Sequence, residues 1–222
     1  MAKARTPKGT QPPVVSFAAL GTLVDTGASG LRPSDEREGE RYSDADLSGV
    51  DLSGAHFIEC EFDSVTLTGT QLRGARFVDT LFTASFAPTL LAGRSTWRDS
   101  LVQSPRWGSA ELFDAEINSV HIRGGKIDYL NLRSARLTNV LIEDCQIGEL
   151  DLGSIRGDRV AIRNCRIGTL DLTRATCANV DIRGSEFSTI NGLEGLRGVT
   201  VDEQQLALLA PVLAAHIGLV VE

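Results

Sequence analysis

From Ala45 onward the chain repeats an apolar position at every fifth residue. The blocks read ADLSG, VDLSG, AHFIE, CEFDS, VTLTG, TQLRG, ARFVD and TLFTA. Taking the third residue of each block as its centre, centres run from 47 to 187 and number 29, of which 22 are Leu, Ile or Phe. The residue two before each centre forms a second series of small or apolar side chains, including Ala45, Val50, Cys60, Ala135, Val140, Cys145 and Leu150. A period of five matches neither the 3.6 of a helix nor the 2 of a plain strand. Two inward residues spaced by two fit a very short extended segment, followed by a bend.

A longer period fixes the number of bends per circuit. Leu130, Leu150, Leu170 and Ile190 recur at steps of 20, as do Val140, Val160 and Val180. Four five-residue sides therefore close one coil, and like residues stack at the roughly 4.8 Å spacing of neighbouring strands. The 160 residues from Asp46 to Gln205 predict about eight coils and a rod of roughly 38 Å.

Blocks such as ADLSG and VDLSG match the A(D/N)LXX consensus, so the chain resembles the pentapeptide-repeat proteins. The resemblance covers about two thirds of the chain. It implies an all-β solenoid, a right-handed quadrilateral β-helix with both series inside, here followed by a C-terminal α-helix. The expected organisation is an N-terminal tail and cap at 1–43, the β-helix at 44–202, and a capping or dimerisation helix with a short strand at 203–222. Ile at many centres in the second half predicts a somewhat broader, β-rich core.

Between 86 and 108 the pattern weakens. Centres 87, 92, 97, 102 and 107 are Ala, Ala, Trp, Val and Trp, with Pro88 and Pro105 nearby. Trp is bulky for a coil built around Leu and Phe, and proline donates nothing to a ladder. The expectation is an irregular coil or projecting loop, with Trp97, Arg98 and Trp107 as candidate partner-binding residues. Gly157 reads as a local bulge or cavity. Residues 1–12 read as flexible, Val14–Val24 as a cap packed on the first coil, and Asp35–Arg41 as a solvated connector.

At the far end Asp202 and Gln205 form a capping-box pair. Leu206, Leu209, Val212, Leu213 and Ile217 give the helix one apolar face, the candidate dimer interface. Pro211 should kink or shorten the helix, Gly218 can end it, and residues 219–222 read as a strand. The resemblance favours a homodimer through this segment.

Chemistry is sparse. His56 and His121 fall at outward positions on different sides, and His216 lies on the helix, so the three do not converge as a metal site or triad would require. Asp151 and Asp171 stack 20 apart, but Asp or Asn at this repeat position faces water in the expected fold. Cys145 and Cys165 stack inward and read as reduced, buried thiols. No catalytic residue, cofactor site or metal site is assigned, and the chain is read as no enzyme. The net charge of -7 is mild and gives no basic face for direct nucleic-acid binding. It is also uneven: residues 45–125 hold 10 acidic and 6 basic groups, residues 126–202 hold 11 and 10. No signal-like segment or membrane-length apolar run is present, so a cytoplasmic location and no membrane partner are expected.

Two functions compete. The first is a non-enzymatic scaffold that binds another, unidentified protein through its flat faces or projecting segment. The alternative follows from the resemblance: some pentapeptide-repeat proteins are similar to B-form DNA in width and charge, bind DNA gyrase and confer quinolone tolerance.

Overall fold

The computed structural model describes residues 9–220. The chain winds into a parallel β-solenoid of about nine turns that ends in one α-helix. Adjacent coils pair in parallel at a strict step of 20 through the body of the rod, as in Glu116↔Arg136↔Arg156↔Thr176 and Trp107↔Ile127↔Ile147↔Ile167. Leu132, Leu152 and Leu172 are all buried, and the first two donate their N–H to the Asp151 and Asp171 carbonyls of the next coil. The columns required by the 20-residue period are therefore present.

Each coil has four sides, named here by their centres. The first face carries 107, 127 and 147, the second 112, 132 and 152, the third 117, 137 and 157, and the fourth 122, 142 and 162. The fold bends at the residue two after a centre, where positive φ recurs at Gly49, Gly54, Glu59, Ser64, Gly69 and Gly74. The consensus Asp or Asn stabilises the second-face bends. Asp51, Asn131, Asp151 and Asp171 each accept a hydrogen bond from the N–H two residues on, at 2.7–3.0 Å. This Asx turn gives the bend a side-chain acceptor.

The core of the first coils is aromatic. Tyr42, Phe62 and Phe82 stack along the fourth face, with ring centroids 5.0 and 4.5 Å apart. Phe57, Phe77 and Trp97 stack along the third, at 5.4 and 4.2 Å. Offset stacks of this kind add to the area term that buries them. Beyond Trp97 the columns continue in aliphatic residues such as Ile117, Leu137, Ile122 and Ile142.

Several expectations are corrected. The stretch 86–108 is neither a loop nor an irregular coil. Phe86–Leu91, Thr96–Gln103 and Arg106–Glu111 are ladder strands in register with both neighbours. The tryptophans fit because the surrounding inward positions are small: Ser85, Ala87, Ala92, Ser95, Ala110 and Ala115 are all buried. Their indole N–H groups donate to Ser95 Oγ at 2.8 Å and Ser85 Oγ at 3.2 Å. Pro88 falls where the register passes over a residue, and Pro105 lies in the bend between two strands, so neither removes a ladder bond.

Gly157 is neither bulge nor cavity. It pairs with Leu137 and Cys177, and Val180, Ile155 and Val160 close around it. The solenoid also starts earlier than residue 44. Glu36–Glu38 pairs with His56–Ile58, and Glu40–Ser43 pairs with Glu61–Asp63, so the charged connector is a coil in its own right.

The expected cap holds only at its end, where Val24–Asp25 pairs with Glu40–Arg41 on the first coil. Thr10 to Phe17 lies along the side of the rod, hydrogen bonded to coils far downstream. The flexibility expected for residues 9–12 is thereby corrected for Thr10 and Gln11, while residues 1–8 lie outside the described residues. At the other end the helix Glu203–His216 runs through Pro211 without stopping. The expected terminal strand is absent at Leu219 and Val220, and residues 221–222 lie outside the described residues.

Candidate interaction surfaces

The sequence grouped Trp97, Arg98 and Trp107 on one projection. The structure separates them. Trp97 is 2% exposed beneath the third face and Trp107 3% exposed beneath the first, so neither indole can meet a partner directly. Arg98 alone of the three is exposed, and its Nε lies 3.5 Å from Asp99. It lines a shallow depression of 490 Å³ on the third face with His56, Ile58, Arg76, Val78 and Thr96. Sequence reasoning missed this surface, although the 20-residue register, run backward from Arg98, passes through Val78 and Ile58.

The terminal helix is fixed to the last coil by polar contacts as well as apolar ones. The capping box at Asp202 and Gln205 is formed. The buried Gln205 side chain donates to the carbonyls of Ile182 and Ser185, both at 2.7 Å, and Asp202 accepts from Gly184 N–H at 3.0 Å. Of the five candidate dimer residues, Leu209 is buried against the chain's own coil and Leu213 is half-buried. Leu206, Val212 and Ile217 are exposed. Leu208, which sequence reasoning left out, is 67% exposed and borders a groove with Phe187, Ile190 and Val212. The helix is apolar on more than one side, which is why a single-stripe reading missed it.

The stacked carboxylates are structural. Asp151 is only 2% exposed, a correction to the expectation that it faces water. Arg133 donates to its Oδ2 at 2.7 and 3.1 Å, and Tyr129 donates to the same oxygen at 3.3 Å. Burial, with the Asp151 charge second, pushes the Tyr129 phenol up to about 12. Arg133 also reaches Asp171 at 3.9 Å, so one guanidinium neutralises both acids.

The thiols divide: the hydrogen bond with Cys145 lowers the Cys165 pKa, whereas those of Cys60, Cys145 and Cys177 are raised. Cys145 and Cys165 donate to the carbonyls of Glu143 and Arg163 at 3.2 Å. The hydrogen bond with Cys165, together with burial, pushes the Cys145 thiol up, and burial pushes Cys177 up to about 11. The nucleophilic thiolate is scarce at neutral pH at the raised sites. His56 lies on the third face, 3.8 Å from Glu36, and His121 on the fourth, 3.4 Å from Glu143. Among the described residues no group of His, Cys, Asp or Glu is placed to hold a metal, and no helix is long and apolar enough to cross a membrane.

The outward columns alternate in charge. The first face stacks Arg106, Lys126, Gln146, Arg166 and Glu186. The third stacks Glu116, Arg136 and Arg156, and the second Glu111, Asn131, Asp151 and Asp171.

The bends at every fifth residue, four to a coil, agree with a match by sequence. A family model for pentapeptide repeats matches residues 43–83 in eight copies. Residues 43–83 are pentapeptide repeats. No curated protein matches it in sequence. Among solved structures, full-length QnrB1, a plasmid-mediated fluoroquinolone resistance protein, is similar at 16% identity. The match covers 86% of this chain and 97% of that one, with a TM-score of 0.42. A trypsin-treated variant of QnrB1 is similar at 19% identity over 91% and 98%, with a TM-score of 0.31. No functional reading follows from likeness at that level.

Proposed function

We propose that this pentapeptide-repeat chain is a non-enzymatic scaffold that binds another protein through its flat faces and self-associates through its helical end. The observation that carries the reading is the third face. There the depression around Arg98 brings Ile58, Val78, Arg76 and Glu116 together on a rigid ladder, a mixture of apolar and charged groups typical of protein interfaces. The expected projecting segment is replaced by regular strands, which leaves the faces and the end as the binding surfaces. The exposed Leu206, Leu208, Val212 and Ile217 support pairing of two copies end to end.

The alternating columns favour this reading over a duplex mimic bound by gyrase. A mimic needs sustained negative charge, and the first and third faces carry rows of cations instead.

Affinity capture from a bacterial lysate with the full chain tests the scaffold. One partner should be recovered reproducibly and be lost from an Arg76→Glu/Arg98→Glu variant that keeps its melting temperature. Undiminished capture by that variant removes the third face from the account. Sedimentation equilibrium tests the end: a dimer should become a monomer in Leu208→Glu/Val212→Glu.

A further inference from the structure

On the fourth face the outward residue before each centre departs from the polar rule of the rod. This column reads Leu81, Leu101, His121, Leu141, Ala161 and Asp181. The equivalent column on the first face is Phe86, Arg106, Lys126, Gln146 and Arg166. Although they point outward, Leu141 is 8% exposed and Ala161 fully buried. The N-terminal segment is hydrogen bonded to the corner column beside them.

That segment is held through its main chain. The N–H groups of Gln11, Val14 and Ser16 donate to Asn179 Oδ1, Asn139 Oδ1 and Ser119 Oγ, each at 3.2 Å. The Thr10 and Thr200 hydroxyls are also hydrogen bonded. Ser119, Asn139 and Asn179 share one corner column, beside the fourth face. Gln11 to Ser16 thus passes three coils, about 14 Å of rod, with five residues that span about 17 Å when extended. Side chains alternate accordingly: Pro13, Val15 and Phe17 are half-buried, Val14 and Ser16 exposed. The segment is an extended peptide laid along the rod axis, across the strands.

This arrangement differs from strand addition. The ladder's own N–H and C=O groups are spent between coils, so a chain running across the strands can be recognised only by side chains. The corner amides and hydroxyl read main-chain N–H groups, which any sequence but proline supplies. The apolar column reads alternate side chains. Attachment through a few partly exposed hydrogen bonds places the segment at the low-stability end of the molecule.

We propose that the fourth face is a track for extended peptides carrying apolar side chains at alternate positions, and that the chain's own N-terminal segment is its resident occupant. The partner is a protein with an exposed Pro-x-Val-x-Phe-like extended segment, which enters the track when the resident leaves. Tethering gives the resident an effective concentration in the millimolar range, so a free peptide competes poorly with it.

The test uses the full chain with Val15→Asp/Phe17→Asp, which removes the resident's half-buried anchors, and a labelled synthetic peptide GTQPPVVSFAAL, residues 9–20. Fluorescence anisotropy should show saturable binding to this variant at least tenfold tighter than to the unmodified chain. Adding Leu141→Arg and Asn139→Ala to the variant should abolish it. A variant that keeps its β-sheet circular dichroism yet binds the peptide no better than a scrambled one overturns the proposal. Should the variant lose its fold, hydrogen exchange of the unmodified chain decides. Peptide at several times the millimolar effective concentration should deprotect the amides of Gln11, Val14 and Ser16, and unchanged protection there overturns the proposal. Neither readout involves the third face, so failure here leaves the scaffold reading standing.

Discussion

The coils between residues 43 and 83 and those between 106 and 191 wind the same rod with different chemistry. The first set is built on stacked rings and glycine bends, with strands of three residues. The second is built on Ile, Leu and Val, with strands of six to eight residues, several running round a corner. One of the four bends changes type between them. After centres 47 and 67 the bend uses Gly49 and Gly69 at positive φ, whereas Ser109, Tyr129, Glu149 and Thr169 in the same column have no positive φ. The glycines move one residue earlier, to Gly108, Gly148 and Gly168, where the backbones of successive coils nearly touch. A solenoid thus keeps its 20-residue circuit while exchanging both core and corner, because each coil answers only to its neighbours.

The largest test of this contrast is in the core. Phe77 touches rings on both neighbouring coils, so Phe77→Ala should cost about 3–5 kcal/mol, whereas Ile147→Val in the aliphatic half should cost about 0.5–1.5 kcal/mol. Chemical denaturation measures both, and equal losses would mean the aromatic column is ordinary packing. The corners come next. At Gly168 a Cβ would lie 2.4 Å from the Gly148 carbonyl oxygen, so Gly168→Ala should cost about 1–3 kcal/mol through steric displacement. At Gly69 nothing crowds the site but φ is 67°, so Gly69→Ala should cost about 1–2 kcal/mol through backbone strain. Asn, which tolerates positive φ, should rescue position 69 and not position 168.

A smaller effect has the opposite sign. Gly157 has ordinary φ and room for a methyl group at 3.4–3.5 Å from its neighbours, so Gly157→Ala should stabilise by about 0.4–1 kcal/mol. The smallest effect is pH-dependent. Burial lowers the His121 pKa below its ordinary 6.5, against the opposing pull of Glu143 and Asp144 and with Arg123 adding to the lowering. The unfolded chain therefore takes up the proton first as pH falls. Stability should be unaffected well above 6.5, decline as pH drops through that value, and level off below the folded pKa. Thermal melts of wild type and His121→Leu should diverge only in that window.

The register and the inward columns were legible because every fifth residue obeys one rule, and the capping box because its two partners are three residues apart. What was hidden depends on compensation between distant positions. Trp97 looks too large until Ala87 and Ala92 in the same coil are counted with it. The first coil was masked by Arg37 at an inward position, where Asp35 at 2.7 Å and Glu40 at 3.6 Å hold its guanidinium. The strap was invisible because Val14 and Asn139 meet only after the rod exists, 125 residues apart. Its trace in the sequence is the outward Leu81, Leu101 and Leu141, spaced by multiples of 20.

Cross-linking across one coil tests the 20-residue register most directly. Arg136 and Arg156 are paired neighbours on the third face, and adjacent strands lie about 4.8 Å apart, within the Cα separation a disulfide accepts. In a Cys177→Ser background, Arg136→Cys/Arg156→Cys should close an intramolecular disulfide under mild oxidation, while Arg136→Cys/Arg166→Cys, on opposite faces, should stay reduced. Cross-linking of the second pair and not the first would contradict a four-sided coil.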